Sequence, residues 1–144
     1  MTVQRILKSK ATDDVITIQP GVTVADAAGV LSNKRIGSLV VTQDGMTPLG
    51  ILSERDIVRE IGKRGPSCLN DKVEDMMTKR VQTCTRTERA DDVLARMTEG
   101  RFRHMPVMED GKMVGLITLG DVVKARLSEL SMEKEALTGM IMGN

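Results

Sequence analysis

The chain repeats itself, and an internal repeat constrains the architecture more than any single motif. Setting Val15-Ile16-Thr17-Ile18 over Val81-Gln82-Thr83-Cys84 gives an offset of 66 residues. At that offset Asp26 falls on Asp92 and Asp44-Gly45 falls on Asp110-Gly111. The apolar stripe Val24, Ala27, Ala28, Leu31 falls on Ala90, Val93, Leu94, Met97. One residue of slippage in the turn shortens the offset to 65, and Gly50-Ile51-Leu52-Ser53-Glu54-Arg55-Asp56 then lies over Gly115-Leu116-Ile117-Thr118-Leu119-Gly120-Asp121. Upstream, Val3, Ile6 and Leu7 match Val73, Met76 and Met77. A chain of 144 residues with this register is two small fused halves, too short for a multidomain enzyme.

Periodicity gives each half the same element order. A short alternating strand is expected at Val15–Ile18 and at Val81–Thr85, the first ending at the breaker Pro20-Gly21. Apolar residues at i, i+3, i+4 and i+7 then predict helices over Val24–Lys34 and Ala90–Glu99. Apolar strands follow at Ser38–Thr42 and Met105–Met108, with hairpin-type Asp-Gly turns and return strands at Leu49–Leu52 and Met113–Ile117. A second helix starts at Ser53 or Thr118. The order β-α-β-β-α, twice, predicts an α/β protein with small mixed sheets and helices packed on them. Residues 62–67 read as the linker, which divides the chain into 1–66, a first unit with its lead-in, and 67–144, a second unit with a C-terminal helix. From Asp121 to about Met140 the pattern is one amphipathic helix, with Val122, Ala125, Leu130 and Leu137 on its apolar side.

Composition excludes several classes of function. Hydrophobic residues make up 40% and charged residues 28%, as in folded globular chains rather than disordered ones. Lys and Arg number 21 against 20 Asp and Glu, and a net charge of +1 argues against a nucleic-acid binder. Phe102 is the sole aromatic residue, so no aromatic platform can stack bases. Eleven Met take over part of the core filling. Cys68 and Cys84 are too few for a disulfide framework and are expected as free thiols in a reducing compartment. Residues Met1–Lys10 hold no signal-peptide core, and no apolar run approaches the ~18 residues of a membrane span. A cytoplasmic protein with no membrane contact is the expectation.

The repeated feature with chemical content is Gly-apolar-apolar-Ser/Thr-x-x-Asp at the strand-to-helix junction. Two readings of it stand side by side. Ser53-x-x-Asp56 and Thr118-x-x-Asp121 fit capping boxes, in which hydroxyl and carboxylate satisfy the first backbone N–H groups of a helix. The same turn can also hold a ribose-phosphate: a helix N-terminus attracts phosphate, and an acidic residue accepts bonds from ribose hydroxyls. His104, the single His, is either a partly exposed strand residue or, beside Arg103, a phosphate-facing group. Arg101 and Arg103, read as alternating on a strand, share one face, either a solvated edge or the wall of an anion cleft. Cys68, Cys84 and His104 contain no close pair of metal ligands, and no nucleophile-elbow pattern supports a Ser-His-Asp triad. Cys84 is expected to be buried and inert.

The chain resembles a tandem pair of cystathionine β-synthase (CBS) domains. The resemblance is carried by Val73-Glu74-Asp75-Met76-Met77-Thr78, Val15–Pro20, Lys34–Val41, Gly50–Asp56, Arg103–Val107 and Gly115–Asp121, over about residues 3–128. It implies two units about a pseudo-twofold axis in a flat module, with two clefts that take adenosine-containing ligands. Carried over residue by residue, cleft one uses Thr17, Ile36, Gly37 and Ser38 with Thr118, Gly120 and Asp121, with Arg103 and His104 at its phosphate. Cleft two uses Thr83, Phe102 and Arg103 with Ser53, Arg55 and Asp56. The implied ligand is AMP, with ADP, ATP or NAD(H) behind it, and the implied role is a homodimeric sensor that controls a partner protein. No base, nucleophile and orienting group fall into one constellation, so neither an enzyme nor a metal site is expected. A scaffold without ligand stands as the alternative, and behind it a weak hydrolase or a nucleic-acid binder. Thr85-Arg86 departs from Gln19-Pro20, which leaves the end of the second half's first strand open.

Overall fold

A computed structural model describes residues 1–10 and 15–142. Helix α1 (Val3–Ser9) leads into strand β1 (Thr17–Ile18), helix α2 (Val24–Lys34), strands β2 (Ser38–Thr42) and β3 (Pro48–Ser53) and helix α3 (Glu54–Arg64). A 3-10 turn over Pro66–Asn70 and the short helix α4 (Val73–Met76) join the halves. The second half contains α5 (Ala90–Gly100), β4 (His104–Glu109), β5 (Lys112–Thr118) and α6 (Leu119–Ile141). The mixed α/β layering read from periodicity is therefore present, with the expected tail helix continuous with the second half's last helix.

In the first half β1 runs parallel to β2, and β2 pairs antiparallel with β3. The second half departs from its expected strand at Val81–Thr85. Only Cys84 pairs with Val107, through Cys84 N–H to Pro106 O at 3.0 Å and Met108 N–H to Cys84 O at 2.8 Å. The cause lies in the repeat register. Val40 donates its N–H to Ile16 O in the first half, whereas its counterpart Pro106 has no N–H to give. Side chains take the flanking backbone groups instead. Arg96 Nη2 donates to Thr83 O at 2.8 Å, and Thr85 N–H donates to Glu88 Oε2 at 2.7 Å.

The lost residue sits in the hairpin. Asp110-Gly111 forms a two-residue turn with both φ positive, at 52° and 77°, the geometry that fits strand twist. The first hairpin loop is longer. There Asp44 Oδ1 accepts from Met46 N–H and Thr47 N–H, at 2.8 and 2.9 Å.

Two hydrophobic cores result, and the lead-in segments exchange between them. Val3, Ile6 and Leu7 of α1 pack with Cys84, Val93, Met105 and Ile117 of the second half. Val73 and Met76 of α4 pack with Val24, Leu39 and Leu52 of the first. Backbone bonds repeat the exchange: Val3 N–H reaches Glu88 O at 2.9 Å, and Val73 N–H reaches Val22 O at 2.8 Å. A strand glycine admits each incoming segment. A Cβ on Gly115 would meet Leu7 Cδ2 at 2.8 Å, and one on its repeat mate Gly50 would overlap Met77 and come 2.9 Å from Thr78 O.

Candidate functional site

The two strand-to-helix junctions are built alike. Ser53 Oγ accepts from Asp56 N–H at 3.2 Å while Asp56 Oδ2 accepts from Ser53 N–H and Oγ, both at 3.0 Å. Thr118 Oγ1 accepts from Asp121 N–H at 3.2 Å and Asp121 Oδ2 from Thr118 N–H at 2.9 Å. Both capping boxes are formed. The next N–H of each helix ties back to the residue before its own second strand: Glu54 to Gly37 O at 2.9 Å, Leu119 to Arg103 O at 2.8 Å. These bonds fix the two helix starts beside the strand edges.

Both junctions open on one cleft of about 1140 Å³ between the halves. It brings together Gly37, Ser53, Arg55, Asp56, Phe102, Arg103, His104, Thr118 and Gly120, nine of the residues singled out from sequence. The other five are not on its described lining. Ser38 is buried at the start of β2, and Ile36 lines a smaller groove of about 490 Å³ with Leu31 and Ile57. Thr17 is exposed on β1 and Thr83 half-buried before Cys84. Asp121 lies behind Thr118, where Lys10 Nζ donates to Asp121 Oδ2 at 2.9 Å and to Leu116 O at 2.8 Å. Burial opposes charge on Asp121, but Lys10 and the Thr118 N–H outweigh it and hold the carboxyl below its ordinary range. Asp56 is buried, and its Oδ1 accepts from Arg59 on its own helix at 2.9 Å.

His104 opens β4, half-buried in the cleft wall. Burial lowers its pKa first and the Arg103 guanidinium lowers it further, which disfavours the charged imidazolium. Arg101 is not on a strand as expected. It caps α5 in the left-handed region with φ 57°, as Arg35 does for α2 with φ 54°. From there it still reaches the cleft beside Arg103. Cys84 is buried as expected, and burial, aided by Glu88, pushes its thiol up to about 12, which disfavours the reactive thiolate.

Sequence reading missed Glu54, Arg59, Arg80 and Lys124 in the lining. The repeat register carried a signal for three of them. Lys124 is the mate of Arg59 at the offset of 65, and Arg80 is the mate of Lys10 in the lead-in register. Aligning basic residues, and not apolar ones alone, reaches them.

The sequence pattern of the CBS domain matches residues 3–63 and 73–128. The mitochondrial CBS domain-containing protein CBSX3 of Arabidopsis thaliana is 37% identical over 125 residues, covering 84% of this chain. An uncharacterized 17.7 kDa protein of Acidianus ambivalens is 35% identical over 124 residues, covering 85%. The chain spans 61% of the length of the first relative and 74% of the second. Among solved structures, a CBS-domain containing protein from Agrobacterium tumefaciens superposes with a TM-score of 0.83 at 42% identity, over 88% of this chain and 99% of that one. A CBS domain pair solved in complex with 5′-methylthioadenosine and S-adenosyl-L-methionine superposes with a TM-score of 0.74 at 25% identity, over 87% and 98%. No helix among the described residues is long and apolar enough to cross a membrane. Two matched domains, two repeated cores and a superposition over most of the chain lead to one conclusion: the chain belongs to the CBS-domain family, as a pair of CBS domains.

Proposed function

We propose that this CBS pair is a regulatory sensor of adenine nucleotides, AMP being the smallest of them and ADP, ATP and NAD(H) the larger ones. The observation that carries the reading is the shared cleft, to which each half contributes a hydroxyl-bearing helix start, Ser53 in one and Thr118 in the other. In this reading Asp56 accepts the ribose hydroxyls of one site, with Arg55, Phe102 and Arg103 around it and Thr83 at its edge. The other site uses Asp121, Thr118 and Gly120 with Thr17, Ile36, Gly37 and Ser38. Arg103 and His104 meet phosphate. With a single aromatic residue in the chain, aliphatic side chains sandwich the adenine and strand backbone reads its edge. Ligand acts by population shift, because a molecule that touches both halves favours the arrangement in which it does so. The output is control of a partner protein, not catalysis. A second copy covers the apolar residues left exposed on α3 and α6, and two buried thiols fit a reducing compartment such as the cytoplasm.

Calorimetry with AMP, ADP, ATP and NAD on the wild type, Asp56→Ala and Asp121→Ala tests the reading. Hydrogen bonds to a charged acceptor are worth about 1.5–3 kcal/mol each, so each variant is expected to lose ten- to a hundredfold in affinity at its own site. A pure capping role predicts a different result: about 1 kcal/mol lost from stability, with affinity unchanged. That second pattern leaves the capping box as the whole role of the two carboxylates, whereas no binding of any of the four nucleotides by the wild type refutes the sensor reading and leaves a scaffold.

A further inference from the structure

The charge around the cleft is unlike that of the chain. The protein as a whole carries +1, with cations and carboxylates almost balanced. The cleft lining holds six permanent cations against only two carboxylates, Glu54 and Asp56. One of the six, Arg59, is paired with Asp56. Arg55, Arg80, Arg101, Arg103 and Lys124 form no salt bridge among the described residues, although ten other pairs occur there. They come from four separate segments: Arg55 from the start of α3, Arg80 from the link between halves, Arg101 and Arg103 from either side of Phe102, and Lys124 from α6. A concave wall lined by one sign of charge focuses the field and raises the local concentration of opposite charge.

We infer that this cleft selects adenosine ligands carrying two or three phosphates over AMP, and rejects neutral or cationic adenosine compounds. The inference rests on the nucleotide reading above and adds the charge class of the ligand. A nucleoside triphosphate brings about four negative charges at neutral pH, against about two for a monophosphate. The wall's surplus of four cations, six against two carboxylates, therefore matches the longer phosphate chain, while a single phosphate leaves several of them facing one another. Arginine supplies most of these charges, and its planar fork suits bidentate phosphate binding. 5′-Methylthioadenosine offers no anion to this wall, and S-adenosyl-L-methionine presents a sulfonium cation.

The experiment is calorimetry on the full chain, without divalent cations and at low and high salt. The titrants are ATP, ADP, AMP, 5′-methylthioadenosine, S-adenosyl-L-methionine and inorganic triphosphate. At low salt each added phosphate is expected to tighten binding about tenfold, and the spread is expected to narrow as salt screens the cleft. The double variant Arg80→Met, Lys124→Met is expected to weaken ATP more than AMP and to bring ATP to within about threefold of AMP. Equal affinities for ATP and AMP overturn the inference and leave the nucleotide reading standing, whereas tightest binding of 5′-methylthioadenosine overturns both. Inorganic triphosphate binding as tightly as ATP refutes the nucleoside part of the reading and upholds the charge selection. No binding by any of the six overturns both.

Discussion

Arg35 and Arg101 sit at the same point of the repeat, each in a left-handed conformation that costs an L-residue about 1–2 kcal/mol. Glycine would relieve that strain but adds about 0.4–1 kcal/mol of unfolded-state entropy to be lost on folding. The relief outweighs the entropy, so Arg35→Gly and Arg101→Gly are each expected to gain about 0.5–1 kcal/mol in chemical denaturation. Only Arg101→Gly is expected to weaken ATP, because Arg101 lines the cleft and Arg35 does not. His104 bears on pH. Its folded pKa lies below the unfolded value of about 6.5, so between the two the unfolded chain binds more protons than the folded one. Its contribution to stability is present above that unfolded value and falls away as pH drops below it. Melting curves from about pH 7.5 down to about 5.5 should show this loss, and His104→Gln should flatten it.

At the scale of elements, the lead-in helices press on strand glycines. Gly115→Val would drive two methyl groups into Leu7, and Gly50→Val would meet Met77 and the Thr78 carbonyl. Overpacking of this kind costs about 1–3 kcal/mol. Gly50→Val is expected to cost more, since backbone yields less than the end of a leucine side chain. Urea titration of the two variants checks the order. Much of this level was legible in the sequence, because apolar spacing and turn residues repeat in both halves. The helix starts at Ser53 and Thr118, the buried stripes of α2 and α5 and the one-residue slip in the turn are local properties, written where they act. The missing strand at residues 81–85 was not local. It depends on Pro106, more than 20 residues away, lying where Val40 lies in the first half. The cleft showed the same division. Its hydroxyl-x-x-Asp turns were readable as motifs, while for Arg80 and Lys124 the repeat register shows only basic residues at matching positions, and their place in the lining follows from the halves facing each other. The Lys10 contact to Asp121 joins residues 111 apart, a pairing that no spacing within either half encodes.

For the whole molecule, apolar residues left on two helices point to a second copy. Val58 on α3 is 69% exposed and Leu127 on α6 is 63% exposed, and Leu130, Leu137 and Ile141 continue the α6 stripe into solvent. Sedimentation at micromolar concentration is expected to give about twice 15.7 kDa, and Val58→Glu to return it to the monomer mass. The exchange of lead-in segments has a consequence for how the chain is made. Every residue of the first core lies between Ile16 and Met77, one uninterrupted stretch that leaves the ribosome together. The second core is divided in sequence, with Val3, Ile6 and Leu7 at one end and residues 84–125 at the other. Domains tend to consolidate in order of synthesis. Within this span α1 precedes all of its core partners in synthesis, and it is expected to dock only once translation has passed Ala125, as the clasp of the second core.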